Sequence, residues 1–359
     1  MAFDEYKVKE DKVRTGLENE SEKKAKNKCV KKVLEFYENN KTKCEDALEK
    51  YYSVRNNRRM YVTAPETLNG TNFRKKISST NKRNMLILTA NDIENKLLVW
   101  NLSQSVNSCL NSYVLDDLDH HPCININFCS IGEYNIIHHH AQKTGDEYTR
   151  RAINDITHFF KPDFIVLLGI CYGLDMESQK IGLVNISEEI TGVRINFRDM
   201  PDSDEIIFEP EIEFEKTPNS TMTTTITRLL SNMDVYEYNS HDTVDHMYGK
   251  IISANSLMSC KIVKDAIMGK LRNNVRGERE LIGGEMEACG IFKSNLVEDN
   301  GFEFDRWIVI KSICDWGESK NSLVADKDAN SHIKDSLQAY AMMNSCKLFV
   351  FLTNNTAFR

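Results

Sequence analysis

The chain has 359 residues, 41% hydrophobic and 28% charged, with 46 Lys+Arg against 53 Asp+Glu for a net charge of −7. This composition is ordinary for a globular protein and excludes a disordered one, and the length suits one large domain plus an appendage, or two domains. No apolar run approaches the roughly 20 residues needed to span a bilayer, and the opening MAFDEYKVKEDK lacks the core and cleavage site of a secretory signal, so a cytoplasmic protein without a membrane partner is expected.

Charge is uneven: residues 1–80 hold 19 Lys+Arg and 13 Asp+Glu, which leaves −13 on the remainder. An acidic body is a poor match for nucleic acid, and a basic head reads as solvated helix faces or as a docking surface for an acidic partner. The ten cysteines are scattered singly, with no CxxC pair, and read as buried thiols rather than a metal site.

Residues about 20–55 read as one or two amphipathic helices, with Val30, Val33, Leu34 and Tyr37 at helical spacing. The polar stretch 56–83, with Pro65 and Gly70, reads as a connector. Residues 1–80 are thus expected to form a helical adaptor or oligomerisation segment, and 84–355 the main domain. From residue 84 strands alternate with helices: MLILTA (85–90) as a buried strand, IENKLLVWNLSQSV as a helix, YTRRAINDITHFF (148–160) as a helix stopped by Pro162, and FIVLLGI (164–170) as a strand. KIGLVNIS (180–187) is a short strand, and 253–271 starts strand-like and becomes helical. GEMEACGIFKSNLVED (284–299) has helical periodicity, RWIVIKSI (306–313) is a buried strand, and 330–352 is a closing helix. Continuous apolar strands separated by helices predict an α/β fold with a mainly parallel sheet covered on both faces.

In such sheets ligands sit beyond the carboxyl ends of strands. Three ends carry suggestive residues: Asn91, Asp92 and Glu94 after the first strand, Gly169-Ile-Cys-Tyr-Gly173 after the second, and Asp315 after RWIVIKSIC. The two glycines allow a close backbone approach, although a structural turn explains them equally well. Glu285 and Glu287 are placed at the start of a helix, where the helix dipole favours carboxylates and a plain N-terminal cap is the simpler explanation for Glu285. Asp315 can cap the next helix or, partly desolvated, donate a proton.

IGGEMEACGIF followed by VIKSICDWGESKN, together with LTANDIENKLL, KPDFIVLLGICYGL, KIGLVNIS and IISANSLM, resembles the nucleoside phosphorylase superfamily. The similarity is greatest to methylthioadenosine/S-adenosylhomocysteine nucleosidases and to nucleosidase domains of bacterial defence effectors. This resemblance implies a nucleoside phosphorylase-type α/β/α sandwich with a small helical N-terminal extension, and hydrolysis of a purine, in particular adenine, N-glycosidic bond. It implies Asp315 as the acid that protonates the base, Glu287 as the carboxylate gripping the ribose hydroxyls, and Glu94 as the group orienting the attacking water. Met286 packs on the sugar, Leu257 and Met258 face the base, and Gly169, Ile170, Cys171 and Tyr172 lie under the sugar, with Glu285 and Lys311 as further substrate-binding residues. Bulky Ile170, Cys171 and Tyr172, Cys314 in place of a serine, Leu183 in place of an aspartate and Leu257 in place of an aromatic depart from the family pattern.

Residues 89–94 and 169–174 lack the Gly-Asp-Pro-x-Arg loop and the Arg and Ser of a phosphorylase phosphate site, so water is the expected nucleophile, with a phosphate-dependent phosphorylase as the alternative. A catalytically silent nucleotide-binding module is a rival of another class. A Rossmann dehydrogenase lacks its glycine spacing. A nucleotide such as AMP or ATP, in antiviral defence, is a narrower expectation, with Lys311, Lys320, Arg194 and His138–His140 as candidate phosphate contacts. The expected partners are a small-molecule nucleoside or nucleotide, further copies of the chain in a homo-oligomer, and a regulatory protein at the N-terminal helices. No metal or organic cofactor is implied, since neighbouring strand histidines point to opposite faces.

Overall fold

The computed structural model describes residues 20–116, 123–199, 206–232, 244–254, 261–274, 280–296, 304–317 and 327–358. In chain order these form α1 (Glu20–Asn39), α2 (Lys41–Asn56), a 3-10 turn (Arg58–Met60), β1 (Glu66–Leu68), α3 (Gly70–Ser78), β2 (Arg83–Thr89), α4 (Asp92–Ser105), β3 (Asn111–Leu115), β4 (Ile124–Ile131), β5 (Tyr134–His140) and α5 (Asp146–Phe159). There follow β6 (Phe164–Tyr172), β7 (Val184–Asp199), β8 (Ile206–Lys216), α6 (Ser220–Ser231), β9 (His246–Ala254), α7 (Lys261–Asn274), β10 (Leu281–Glu285), α8 (Cys289–Phe292), β11 (Trp307–Asp315) and α9 (Lys327–Asn354).

All eleven strands join one sheet, in the order β1-β3-β4-β5-β2-β6 and then β10-β9-β7-β11. Because β11 also pairs with β6, and β8 extends from β7, the strands β6, β10, β9, β7 and β11 close into a ring. The three apolar runs picked out in sequence are β2, β6 and β11, and they lie side by side in parallel. Their alternate residues feed two cores. Met85, Ile87, Phe164, Val166, Leu168, Ile308 and Ile310 pack against α2, α4 and α9. Leu86, Leu88, Ile165, Leu167, Trp307 and Val309 pack against α3, α5 and α8. Burial on both faces is why these strands read as unbroken apolar runs, each fully buried side chain contributing about 1.5–3 kcal/mol.

Several details differ from the sequence expectations. KIGLVNIS opens a 16-residue strand, β7, that pairs with β9, β11 and β8. Strands β3, β4 and β8 and helix α6 have no counterpart among those expectations, and β5 is anticipated only at its histidine end. Part of the segment before residue 80 belongs to the body: Ala47, Leu48, Tyr51 and Val54 of α2 enter the first core, Phe73 and Ile77 of α3 enter the second, and β1 extends the sheet beside β3. Helix α1 lies on the surface of the body through Cys29, Val33 and Tyr37, which cluster with Ile181, Trp316 and Leu337. Among the described residues no helix is long and apolar enough to cross a membrane.

Candidate active site

The parallel alignment of β2, β6 and β11 puts their carboxyl ends on one side, and β10 meets β6 there at Gly284 and Tyr172. Four buried charged groups gather at these ends: Glu94, Glu285, Glu287 and Lys311. Lys311 sits within β11, level with Gly169 of β6. Its ammonium contacts Glu287 Oε2 directly and lies 3.1 Å from Glu285 Oε2.

Each carboxylate is held by backbone amides. Asn91 caps α4 by accepting from the Glu94 amide at 2.9 Å, and Glu94 Oε2 accepts from Ala90 and Asn91 at 2.7 and 3.1 Å, a reciprocal capping box. Glu94 Oε1 accepts from the Ile170 amide at 2.9 Å. Gly169 must be glycine for this bond, since a Cβ there would collide with the Glu94 carboxylate. Glu285 Oε2 accepts from the Glu287 and Ala288 amides at 2.9 and 3.1 Å, and Glu287 Oε1 accepts from Gly145 at 3.1 Å.

One ammonium cannot balance three buried carboxylates, and the excess negative charge is costly away from water. Burial pushes the Glu94 and Glu285 carboxyls above the usual range, with the Glu287 charge adding to the effect and Lys311 only partly offsetting it. For Glu287, burial acts in the same direction, but the Lys311 charge and hydrogen bond with the Gly145 amide bring it below the usual range. Burial pulls the Lys311 ammonium down, yet Glu287, Glu285 and Glu94 together outweigh it and hold the proton on. The cluster is one firm ion pair flanked by two carboxyls that favour keeping a proton.

Asp315 ends β11, half-buried, its Oδ1 accepting from the Gly317 amide at 2.7 Å and its Oδ2 lying 3.4 Å from Cys314 Sγ. Tyr172 lies between it and the cluster: burial raises its hydroxyl well above the ordinary tyrosine value, and Glu285, Cys171, Asp315 and Glu287 add to the shift. Its ring folds over Gly284, where a Cβ would strike the phenol, so the bulk introduced at Tyr172 is offset by the missing side chain at Gly284. The hydroxyl is buried and has no hydrogen-bond partner among the described residues.

The structure therefore gathers Glu94, Glu285, Glu287 and Lys311, places Gly169 and Ile170 against Glu94, and leaves Met286 half-buried beside Glu287. Cys171 is buried, its thiol 3.4 Å from the Lys311 carbonyl. One expectation is corrected. The EME segment does not open a helix: Glu285 ends a strand, and only the four residues Cys289–Phe292 are helical, because pairing with β9 extends the backbone through Glu285. The Lys311 ammonium faces Glu287 and Glu285, and Arg194 pairs with Glu213 across β7 and β8. Leu257, Met258 and Lys320 lie outside the described residues. Sequence reasoning missed the counter-ion role of Lys311, although a lysine inside the apolar run RWIVIKSIC signals a buried partner. It also missed Gly145 and Gly284.

No protein-family model matches this sequence, and no curated protein does. Solved structures do match in shape. The S-adenosylhomocysteine nucleosidase from Streptococcus pyogenes, in complex with 5-methylthiotubericidin, has a TM-score of 0.50 at 15% identity over 76% of this chain and 97% of that one. The fold is of the nucleoside phosphorylase type. The futalosine hydrolase of Helicobacter pylori gives 0.51 at 13% identity, covering 76% and 98%. The 5′-methylthioadenosine/S-adenosylhomocysteine nucleosidase from Colwellia psychrerythraea, in complex with adenine, gives 0.51 at 14%, covering 77% and 96%. At these identities the likeness concerns the fold, which agrees with the resemblance read from the motifs.

Proposed function

We propose that this protein hydrolyses the bond between a purine base, adenine in particular, and ribose in a nucleoside or nucleotide. The observation that carries the reading is the convergence of Glu94, Glu285, Glu287 and Lys311 at the carboxyl ends of adjoining strands, with Asp315 beyond them on β11. In nucleosidases of this fold a substrate must lose its base as positive charge develops on the sugar, and negative groups fixed beforehand stabilise that charge. Glu287, kept ionised by Lys311, is suited to accept hydrogen bonds from two adjacent ribose hydroxyls through its remaining lone pairs. Glu94, its affinity for a proton raised by burial, is suited to take a proton from water. Asp315 donates a proton to the departing base, and Lys311 positions the carboxylates rather than touching the substrate.

The likeness of DWGESKN to defence-associated nucleosidases supports a nucleotide such as AMP or ATP as the substrate and an antiviral setting. The reading takes the enzyme as a homo-oligomer, with the N-terminal helices meeting a regulatory partner. The test is to incubate the protein with ATP, AMP, adenosine, methylthioadenosine and NAD, with and without inorganic phosphate, and to measure free base by chromatography. Release that does not depend on phosphate and is abolished in Asp315→Asn is expected. Release only with phosphate makes the protein a phosphorylase, and nucleotide binding without any base release makes it a silent binding module.

A further inference from the structure

A cavity of about 520 Å³ opens between α2, α4, β4, β5 and α5. That volume falls in the range of small-molecule sites, about 300–1,000 Å³. Three elements bring cations to its wall: Arg58 from the 3-10 turn, Lys96 from α4 and Arg151 from α5, against one lining carboxylate, Asp155. Lys96 lies 3.2 Å from Asp92, and Arg151 gives its Nε to Glu147 at 2.9 Å, which leaves further N–H donors on both. Arg58 is exposed, and its guanidinium has no hydrogen bond or ion pair with another described residue.

His138–His140 of β5 all line the cavity, His139 from the sheet face opposite to His138 and His140, and their partners fix the ring tautomers. His139 Nδ1 lies 2.9 Å from the Asn125 carbonyl and His140 Nδ1 lies 3.3 Å from the Thr89 carbonyl. A carbonyl only accepts, so both Nδ1 atoms carry the hydrogen and both Nε2 atoms of the neutral rings are acceptors. His138 is reversed: the Asn127 amide donates to its Nδ1 at 3.3 Å, so its Nε2 donates to the Thr89 hydroxyl at 3.0 Å. Burial holds all three rings neutral, lowering His139 to about 4. Asn127 Oδ1 is buried and accepts from no described residue. The walls thus offer cations, while β4 and β5 offer unfilled acceptors.

Inorganic phosphate brings charge with at most one or two hydroxyls on the same phosphorus, too close together to span cations and acceptors, and a neutral sugar brings hydroxyls without charge. We propose that this cavity binds a phosphate monoester of a hydroxylated sugar, its phosphate against Arg58, Lys96 and Arg151 and its hydroxyls donating to the histidine and Asn127 acceptors. The site is distinct from the catalytic cluster yet adjoins it: Asn95 lines the cavity next to Glu94, and Gln142 lines it three residues before Gly145, whose amide holds Glu287.

Calorimetric titration of the full chain with ribose 5-phosphate, AMP, ribose and inorganic phosphate tests the assignment, using Asp315→Asn as background so that no ligand is consumed. A monoester should bind at least about tenfold more tightly than ribose or phosphate, and Arg58→Ala and Arg151→Ala should each weaken it by about tenfold or more. Ribose 5-phosphate binding as well as AMP identifies a sugar phosphate as sufficient; AMP binding alone, still sensitive to Arg58→Ala, identifies a nucleotide. The proposal is overturned if no monoester outperforms inorganic phosphate. It is also overturned if variants with unchanged circular dichroism bind as the parent does, which would put the ligand elsewhere.

Discussion

Replacing Lys311 with methionine is the sharpest probe of the charged cluster. The substitution keeps the volume of the side chain but strands Glu287, Glu285 and Glu94 without the one cation that contacts the cluster among the described residues. Breaking a buried ion pair from one side costs about 3–5 kcal/mol when the remaining charge stays ionised. Here the cost can be relieved by protonation, so it must depend on pH. Carboxyls whose folded pKa is raised contribute stability that is full below the unfolded value, about 4.3 for glutamate, and lost as pH rises through the folded value. Without Lys311 all three are pushed further up, so the variant binds more protons when folded than when unfolded. Its deficit then grows with pH, by about 1.4 kcal/mol per pH unit for each extra proton bound. Lys311 itself stays charged in both states between pH 5 and 8 and adds no slope. Urea unfolding of the parent and Lys311→Met at pH 5 and pH 8 measures this, with the larger deficit, about 3–5 kcal/mol, expected at pH 8. An equal deficit at both values, or one below about 1 kcal/mol at pH 8, would show that the carboxylates are not buried around this lysine. Lys311→Arg keeps the charge and should show a smaller deficit with little pH dependence.

Gly169→Ala forces a Cβ into the Glu94 carboxylate and should cost about 1–3 kcal/mol while slowing base release; a variant with parental stability and rate would remove the close packing claimed there. Tyr172→Phe deletes a buried hydroxyl that has no partner among the described residues. Thermal unfolding should show it unchanged or stabilised by about 1 kcal/mol, and a marked loss of stability would reveal a partner for the phenol. The pH profile of kcat/KM for base release should rise on an acid limb set by ionisation of Glu94, at a pH above that of an ordinary glutamate. An acid limb at the ordinary carboxylate value would count against Glu94 as the base.

Sequence alone determined the elements whose signals are local. Strands β2, β6 and β11 announce themselves as unbroken apolar runs because both of their faces are buried, and α4 was legible in IENKLLVWNLSQSV, although its Asn91–Glu94 capping box was not read from the sequence. The motif pairs also led to the fold, because strand ends and their order survive where overall identity does not. Only the tertiary structure decided the rest. The helical periodicity of the EME segment was overridden by pairing with β9, which no local pattern encodes. The ionisation of Glu94, Glu285 and Glu287 depends on a lysine from another strand, and a buried charge has no settled state until its partners are in place. Tyr172 reads as an obstruction until Gly284 is found beneath it, and the three consecutive histidines, already candidate phosphate contacts in the sequence, share a cavity with Arg58 and Arg151 from elements far away in the chain. Local propensity is written residue by residue, whereas complementarity between distant residues exists only once the chain has folded.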